Sequence, residues 1–464
     1  MSAQPHIIRR QVLNVRCTGD NADGVRLQQE TEQLYRTHIL PGLVQLLDKY
    51  NTGDEVISID TLSVALQHIR ADSINISLAQ QILGEVERQL QQCLQKTDKR
   101  NTERYTAEER FLQCWLHFLQ HGYLPWWAEV KDNASWLAQL ADFIEKAPEL
   151  LLQRLKEYVT DKNVVSRLAA LPDERLFWSF FKRLTGWNDD LLQSLRHDEQ
   201  LIHMTLQGVV SGNQFTHVFR GLLLSVCRQA YTQHLLTDFF ACKLAEYLHS
   251  VTPRSLYVLK PVPLQTMALK DVLHNGTQRM DEATEPKSPD RGDEEPTLAD
   301  KDRIYVNNAG VVLVAAYLPA FFARLELIKD NMITDLQRAV GLLHYIISGN
   351  EDYTEFEMVL PKILCGITPG AAVSVGYLLT DNEKILADEL LEAVVGHWEA
   401  LKTTSANGLR SAFLQREGIL SFNSDTWQLR VQEQSIDVLL DYLPWSISII
   451  RLPWMQHLLQ VSWR

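Results

Sequence analysis

Apolar residues recur at intervals of three and four along most of this chain, a spacing that predicts amphipathic helices. The longest such region covers about residues 107–274, where leucines and aromatic residues repeat in this way between short polar breaks. The breaks lie at 122–125, 171–173 and 186–190. No fixed period repeats across the region, so the pattern predicts stacked short helices rather than a solenoid.

The N-terminal part mixes two periods. Apolar and polar residues alternate from His6 to Cys17, which is typical of a half-buried strand. A helical pattern follows, a second alternating stretch begins at Glu55, and another helix is predicted from about Ser77 to Lys96. Residues 1–100 are therefore predicted to form a small β-α-β-α unit, and a charged break separates it from the long helical region.

The C-terminal part begins with helical patterns and ends with alternation. Three short alternating runs at 427–432, 446–450 and 458–463 predict β-strands. A Leu-Pro-Trp triplet occurs twice beside these runs, where proline is tolerated because a strand end needs no ladder hydrogen bond. Residues 304–464 are thus predicted to form a helical domain that ends in short β-strands.

A stretch with few apolar side chains separates the helical middle from this domain. Residues 276–303 contain three prolines and many charges of both signs, so they cannot offset the entropy lost on ordering. We expect a flexible acidic linker there. The predicted fold class is mainly α with small α+β units, divided into 1–100, 101–275, 276–303 and 304–464.

One apolar run raises the question of a membrane. Residues 309–323 carry no charged side chain, but 15 residues fall short of the roughly 20 that a spanning helix needs, and Pro319 interrupts them. The run is predicted to be a buried core segment. We expect no stable membrane insertion.

Composition and charge narrow the possible functions. A chain of 464 residues is expected to form two or three folded units. Its net charge of −13 argues against nucleic acid, because that partner is bound mainly through Lys and Arg. Six cysteines are scattered without a CxxC pair, which indicates reduced thiols rather than a disulfide framework or a zinc site. No cofactor or metal is predicted, and the first residues lack the apolar stretch of a secretory signal.

Catalytic motifs are not found in the sequence: a phosphate-binding GxxxxGK[ST] loop, HExxH and GxSxG are all missing. His397, Ser405 and Asp437 supply the residue types of a nucleophilic triad, but no local signature supports one. Asp437 and Asp441 lie four residues apart and could present two carboxylates on one helical face, although capping or solvation explains them more simply. The prediction is that the protein is not an enzyme.

Tryptophans form the most unusual pattern. Trp445, Trp454 and Trp463 follow one another at intervals of nine, and Trp126 and Trp127 are adjacent in a second cluster. Tryptophan usually packs in cores, but it also anchors protein interfaces. These five residues are the candidate docking residues. Core packing is one alternative, and stacking on a sugar ring is another for Trp126, Trp127, Trp445 and Trp454.

Several stretches in order resemble one family of proteins. They are HIIRRQVLNV, FLQHGYLPWW, IYVNNAGVVLVAAYLP, SANGLRSAFLQREGIL and DVLLDYLPWSISIIRLPWM. Together they resemble the contractile injection system tape measure protein family of extracellular, phage-tail-like particles similar to antifeeding prophages. The resemblance covers nearly the whole chain. It departs at Ala315, Ala316 and Tyr317, where the family usually has His-Pro-Phe.

The resemblance implies a structural role without catalysis. A tape measure protein is expected to set the length of the inner tube while it polymerises on the baseplate, with inner-tube and baseplate proteins as partners and several copies of the chain per particle. It implies assembly in the bacterial cytoplasm, followed by residence in the released particle. Two alternatives stay open: a cytosolic, chaperone-like assembly factor that never enters the particle, and a hydrolase carried as cargo.

The length of the chain limits how it could act as a ruler. Fully helical, 464 residues would span roughly 700 Å, but the helical middle alone would span only about 250 Å as one rod. The sequence therefore implies unfolding during assembly, several copies, or a role as initiator or terminator of tube growth.

Overall fold

The structure is a computed structural model. It describes residues 6–9, 11–14, 21–50, 55–66, 74–95, 102–128, 130, 133–206, 212–226, 233–251, 263–275, 303–373, 377–401 and 404–464. The chain divides into two compact units, Met1–Gln113 and Cys114–Arg464. The finer division into four segments stays a prediction, and residues 276–302 of the predicted linker lie outside the described residues.

The first unit consists of helices and one two-stranded sheet. Its elements are α1 (Asn21–Leu34), a π-helical turn (Tyr35–Ile39), α2 (Leu40–Lys49), β1 (Glu55–Ile59), α3 (Ile76–Gln95) and β2 (Thr102–Thr106). Helix α4 (Ala107–His121) begins in this unit and ends in the second. Strands β1 and β2 are antiparallel, with Glu55 opposite Thr106 and Ile59 opposite Thr102.

The predicted β-α-β-α order of this unit is wrong in one respect. The described residues 6–9 and 11–14 form no strand and are exposed. The strand that pairs with β1 is instead β2, which lies in the predicted charged break. A strand forms only where another strand pairs with its backbone hydrogen-bonding groups. The sequence of β2 is mostly polar and lacks the apolar alternation from which a strand is predicted.

Helices α2 and α3 pack closely in this unit. Leu34 of α1, Ile39 of the π-helical turn and Ala79 of α3 form a buried cluster, and partly buried side chains that include Leu43 of α2 pack against it. A Cβ atom at Gly42 would overlap a terminal methyl carbon of Leu83, so the two helices approach each other closely at this glycine.

The second unit starts with a series of short helices. They are α5 (Asn133–Lys146), α6 (Glu149–Tyr158), α7 (Lys162–Ala169), α8 (Glu174–Thr185), α9 (Asp189–Thr205), α10 (Gly212–Val226), α11 (Gln233–Val251) and α12 (Met267–Asn275). Asp161, Asp173 and Asn188 cap the N-termini of α7, α8 and α9 through their side-chain oxygens. Gly186 ends α8 in the left-handed conformation. The predicted breaks therefore coincide with real helix ends.

The C-terminal part of this unit combines helices with a five-stranded sheet. Its helices are α13 (Leu318–Arg324), α14 (Leu336–Ser348), α15 (Val359–Leu364), α16 (Asp381–His397) and α17 (Ala406–Leu409). Its strands are β3 (Ile304–Val306), β4 (Ile328–Lys329), β5 (Met332–Ile333), β6 (Gly418–Asn423), β7 (Thr426–Val431), β8 (Ile449–Ile450) and β9 (Leu458–Ser462). The sheet order is β3-β6-β7-β9-β8, and β7 runs parallel to β9.

Two of the three alternating runs predicted to be strands are confirmed, as β7 and β9. Burial alternates along β7 and β9, so one face of the sheet covers the core. The predicted strand at 446–450 is reduced to the two residues of β8, and β3 and β6 were missed. The class predicted from the sequence, mainly α with small β units, is confirmed.

The apolar run at 309–323 is a buried core segment, as predicted. Its first part is a 3₁₀-helix, Ala309–Tyr317, which is buried from Ala309 to Ala315. A Cβ atom at Gly310 would overlap the carbonyl oxygen of Phe413, so the backbones touch there. Pro319 lies in the first turn of α13, where its missing N–H costs nothing. Among the described residues, no helix combines the length and the apolar character that a membrane crossing requires.

Candidate functional site

An exposed apolar segment follows β7 near the C-terminus. We call Ser435–Ile449 the C-terminal apolar segment. Val438, Tyr442 and Ile449 are 52%, 70% and 62% exposed, although large apolar side chains usually lie inside. Other apolar residues of the segment are only partly buried: Leu439, Leu440, Leu443, Trp445 and Ile447. Exposed apolar side chains grouped in one segment in this way are typical of protein interaction sites.

The start of the segment is fixed by a buried carboxylate. Residues Ser435–Tyr442 form a 3₁₀-helix, and Asp437 accepts a hydrogen bond of 2.8 Å from the backbone N–H of Gln434, which caps it. The other oxygen of Asp437 lies 2.5 Å from Nη2 of Arg416. Both side chains are almost fully buried, and the indole N–H of Trp463 donates a third hydrogen bond of 3.1 Å to Asp437. These bonds offset the cost of burying the two charges.

Two tryptophans hold the middle of the segment in place through indole hydrogen bonds. Trp398 donates through its indole N–H to the carbonyl oxygen of Leu439 at 3.1 Å. Trp445 donates to the carbonyl oxygen of Leu313 at 3.0 Å and packs edge-on against Tyr317, with ring centroids 5.2 Å apart. The backbone of the segment is therefore held on the core while several of its side chains point outward.

The other candidate docking tryptophans differ in how much surface they offer. Trp454 is 4% exposed and donates to the carbonyl oxygen of Leu364 at 2.7 Å. Trp463 is also buried, as described above. Trp126 and Trp127 lie half-buried in the turn between α4 and α5. Docking stays a prediction for all five residues, but only the three half-buried ones present surface that a partner could touch.

The candidate catalytic residues are occupied elsewhere. Nδ1 of His397 lies 2.8 Å from the hydroxyl of Tyr317. Ser405 caps α17 by accepting a hydrogen bond of 3.1 Å from the backbone N–H of Gly408. Asp437 is bound to Arg416. The structure therefore does not bring His397, Ser405 and Asp437 together as a triad.

The two aspartates of the pair also have separate roles. Asp437 is buried in the capping arrangement, whereas Asp441 is exposed and lies 3.2 Å from Nη1 of Arg464. Four residues of a 3₁₀-helix turn through about 480°, so the two side chains do not share a face. The predicted pair of carboxylates on one helical face is therefore wrong. The simpler alternative, helix capping, accounts for Asp437.

A comparison with family models gives the decisive observation. The model described as contractile injection system tape measure protein matches residues 5–463, which is nearly the whole chain. The chain belongs to the contractile injection system tape measure protein family. Comparisons with curated proteins and with solved structures give no significant match.

Membership of this family gives the chain a structural role. A tape measure protein is a component of a contractile injection system, and its family is not a known enzyme family. Membership also implies association with other components of the injection system. The departure at Ala315, Ala316 and Tyr317 falls beside the C-terminal apolar segment, because Tyr317 contacts both His397 and Trp445.

A buried ion cluster ties the helical series of this tape measure protein to its C-terminal part. Glu355 accepts two hydrogen bonds of 3.0 Å from Arg167 on α7. Nζ of Lys362 on α15 lies 2.5 Å from the same carboxylate and also reaches the carbonyl oxygens of Pro369 and Ala371. Burial lowers the pKa of Lys362, but three acceptors match the three hydrogens of its ammonium group.

Gly122 makes room for this cluster. Its φ of +77° is in the left-handed region, and a Cβ atom there would lie 2.5 Å from Nη2 of Arg167 and 2.8 Å from the carbonyl oxygen of Pro369. The glycine was predicted only as part of a loop. Glu355 and Lys362 were not singled out by the sequence, because nothing in its periodicity distinguishes a charged residue in the core from one at the surface.

Metal and thiol chemistry finds no support in the described part of the chain. No group of three or more His, Cys, Asp or Glu side chains there could hold a metal ion. The four cysteines described, at positions 93, 114, 242 and 365, form no disulfide. Burial raises the pKa of the Cys365 thiol, which keeps it protonated and unreactive.

Proposed function

We propose that this protein is a folded assembly component that docks through its C-terminal apolar segment on an inner-tube or baseplate protein and so sets the length of the tube. The observation that carries the proposal is the exposed apolar segment, fixed on a rigid core, in a chain that belongs to the tape measure family. Rigid scaffolds that present exposed apolar side chains are typical of interfaces.

The sizes of the helices favour docking at a tube end over a literal yardstick. The longest helix described is α3, with 20 residues, which spans about 30 Å. The helical middle is a stack of short helices rather than a rod of about 250 Å. In this folded form the protein acts as an initiator or terminator of tube growth, and copies at a tube end determine when polymerisation stops.

The experiment compares a double variant of the segment with a single-substitution control in bacteria that produce the particles. Val438→Asp combined with Tyr442→Asp places charges on the apolar segment, where both positions are more than half exposed. Ile385→Asp, on α16 and 56% exposed, is the control for adding a charge at an exposed apolar position. Both chains are expected to fold, as checked by circular dichroism of the purified proteins.

The readouts are the protein composition of purified particles by mass spectrometry and tube length by electron microscopy. We expect the double variant to be lost from particles and the tubes to lose their uniform length, while the control behaves as wild type. Normal incorporation and unchanged tube length in the double variant would contradict docking through this segment. If the wild-type chain itself is missing from purified particles, the assembly factor is the correct alternative.

A further inference from the structure

The first unit exposes more large apolar side chains than it buries, counting the residues of Met1–Gln113 that the structure describes. Two-stranded sheets and thin helical layers of this kind gain little stability alone. An apolar surface that the unit does not cover itself is a surface for association.

Six of these exposed side chains belong to two neighbouring stretches, the N-terminal segment and α2, and we call them together the N-terminal face. Nε2 of His6 lies 2.8 Å from a carboxylate oxygen of Asp48, and the hydroxyl of Tyr35 donates to the side-chain amide oxygen of Gln11. These two contacts lay the N-terminal segment alongside α2, in the opposite direction. The N-terminal face consists of Ile7, Ile8, Val12, Leu13, Leu40 and Val44, each between 40% and 56% exposed.

Apolar residues form a stripe along α2, with a basic residue before it and an acidic residue after it. Leu40, Val44 and the half-buried Leu47 follow at i, i+4 and i+7, so they form a stripe along the helix. Arg36 lies about one turn before the stripe, and Asp48 lies one turn after Val44. Both charged side chains are more than half exposed.

The stripe and its flanking charges are complementary to a second copy of α2 that runs in the opposite direction. If two copies of α2 meet antiparallel about a two-fold axis, Leu40 of one copy faces Val44 of the other. The same operation places Arg36 of each copy near Asp48 of its counterpart, so opposite charges meet at both ends. An isologous contact requires this kind of self-complementarity.

The net charge of residues 1–113 and the exposed area of the N-terminal face both favour a second copy of this chain as the binding partner. Residues 1–113 hold 13 Lys and Arg against 15 Asp and Glu, so most of the net charge of −13 lies in the rest of the chain. Two nearly neutral units meet with little repulsion. At roughly 80 Å² of exposed surface each, six side chains give about 500 Å² per copy and about 1,000 Å² per pair, the lower limit of a specific interface.

We propose that the N-terminal face binds a second copy of this chain, with the two α2 helices antiparallel about a two-fold axis. The contact uses none of the residues of the C-terminal apolar segment, and its test does not depend on particle assembly. Because the area is small, we expect a dimer that dissociates on dilution.

The test is sedimentation velocity of the full-length chain over a range of concentrations. Wild type should shift from monomer to dimer as concentration rises. Leu40→Glu combined with Val44→Glu places two carboxylates in the contact and should weaken dimerisation by at least about tenfold. Ile385→Glu, at matched exposure in the second unit, should leave the dimer unchanged.

A charge exchange tests the antiparallel geometry without changing an apolar residue; because Asp48→Arg also removes the contact with His6, His6→Ala is its control. Arg36→Asp and Asp48→Arg should each weaken the dimer by roughly threefold to tenfold, because like charges then meet at both ends. The two changes combined should restore it. A chain that stays monomeric at every concentration overturns the proposal, and so does a double exchange that fails to restore binding or a control that dissociates equally.

Discussion

Glu355 holds together a buried cluster in which two cations share its carboxylate. Replacing it by glutamine keeps the size and shape of the side chain and removes its charge. Arg167 and Lys362 are only 4% and 0% exposed, and both contact Glu355. The substitution therefore leaves two buried cations without their counter-charge. We expect Glu355→Gln to destabilise the contact between α7 and α15 strongly.

The size of the effect follows from burial. Removing one partner of a buried ion pair costs about 3–5 kcal/mol, because the remaining charge stays out of water. Glu389→Gln is the matched control, since Glu389 pairs with Arg324 at 2.8 Å but both side chains are about half exposed. An exposed pair of this kind contributes less than about 1 kcal/mol. The two identical substitutions should therefore differ by several kcal/mol.

Native-state amide hydrogen exchange measures this locally, which matters because a chain with two compact units need not unfold in one step. Slow amides of α7 should exchange between about a hundredfold and a few thousandfold faster in Glu355→Gln. In Glu389→Gln they should change by less than about fivefold. Equal exchange rates in the two variants would show that the buried cluster is not what holds α7 in place.

Three further predictions concern packing, a second buried charge and pH. Gly310→Ala should destabilise the protein by several kcal/mol because its Cβ would overlap the backbone it packs on, whereas Gly396→Ala, whose Cβ meets nothing within 4 Å on α16, should stabilise it by up to about 1 kcal/mol in urea unfolding. Asp437→Asn leaves a buried arginine without its counter-charge and should cost about 3–5 kcal/mol, against less than about 1 kcal/mol for Asp441→Asn at an exposed pair; equal midpoints would contradict this. Burial, with a smaller contribution from the neighbouring histidine, lowers the pKa of His117 to about 4, below its unfolded value of 6.5. The unfolded chain therefore binds more protons, so stability should fall by about 3 kcal/mol as the pH drops from 6.5 to 4, and His117→Phe should remove that part of the pH dependence.

The sequence was sufficient for features that neighbouring residues decide. The breaks of the helical region were predicted because Asp173, Gly186 and Asn188 cap helices within a few residues of their own positions. Strand β9 and the buried run at 309–323 were predicted because period and apolar content are local properties. The exposed side chains of the C-terminal apolar segment were not predicted, because apolar residues usually indicate burial.

What the sequence determined by itself is therefore the helical class, the helix ends that carry local caps, the strands β7 and β9 and, through stretches spread along the whole chain, the family. Only the tertiary structure decided which residues meet across long separations. The indole of Trp454 reaches an acceptor 90 residues away, and Arg167 reaches Glu355 across 188 residues. Periodicity records the face on which a side chain lies but not the partner that covers it, so buried ion clusters and exposed apolar surfaces appear only once the elements are packed together.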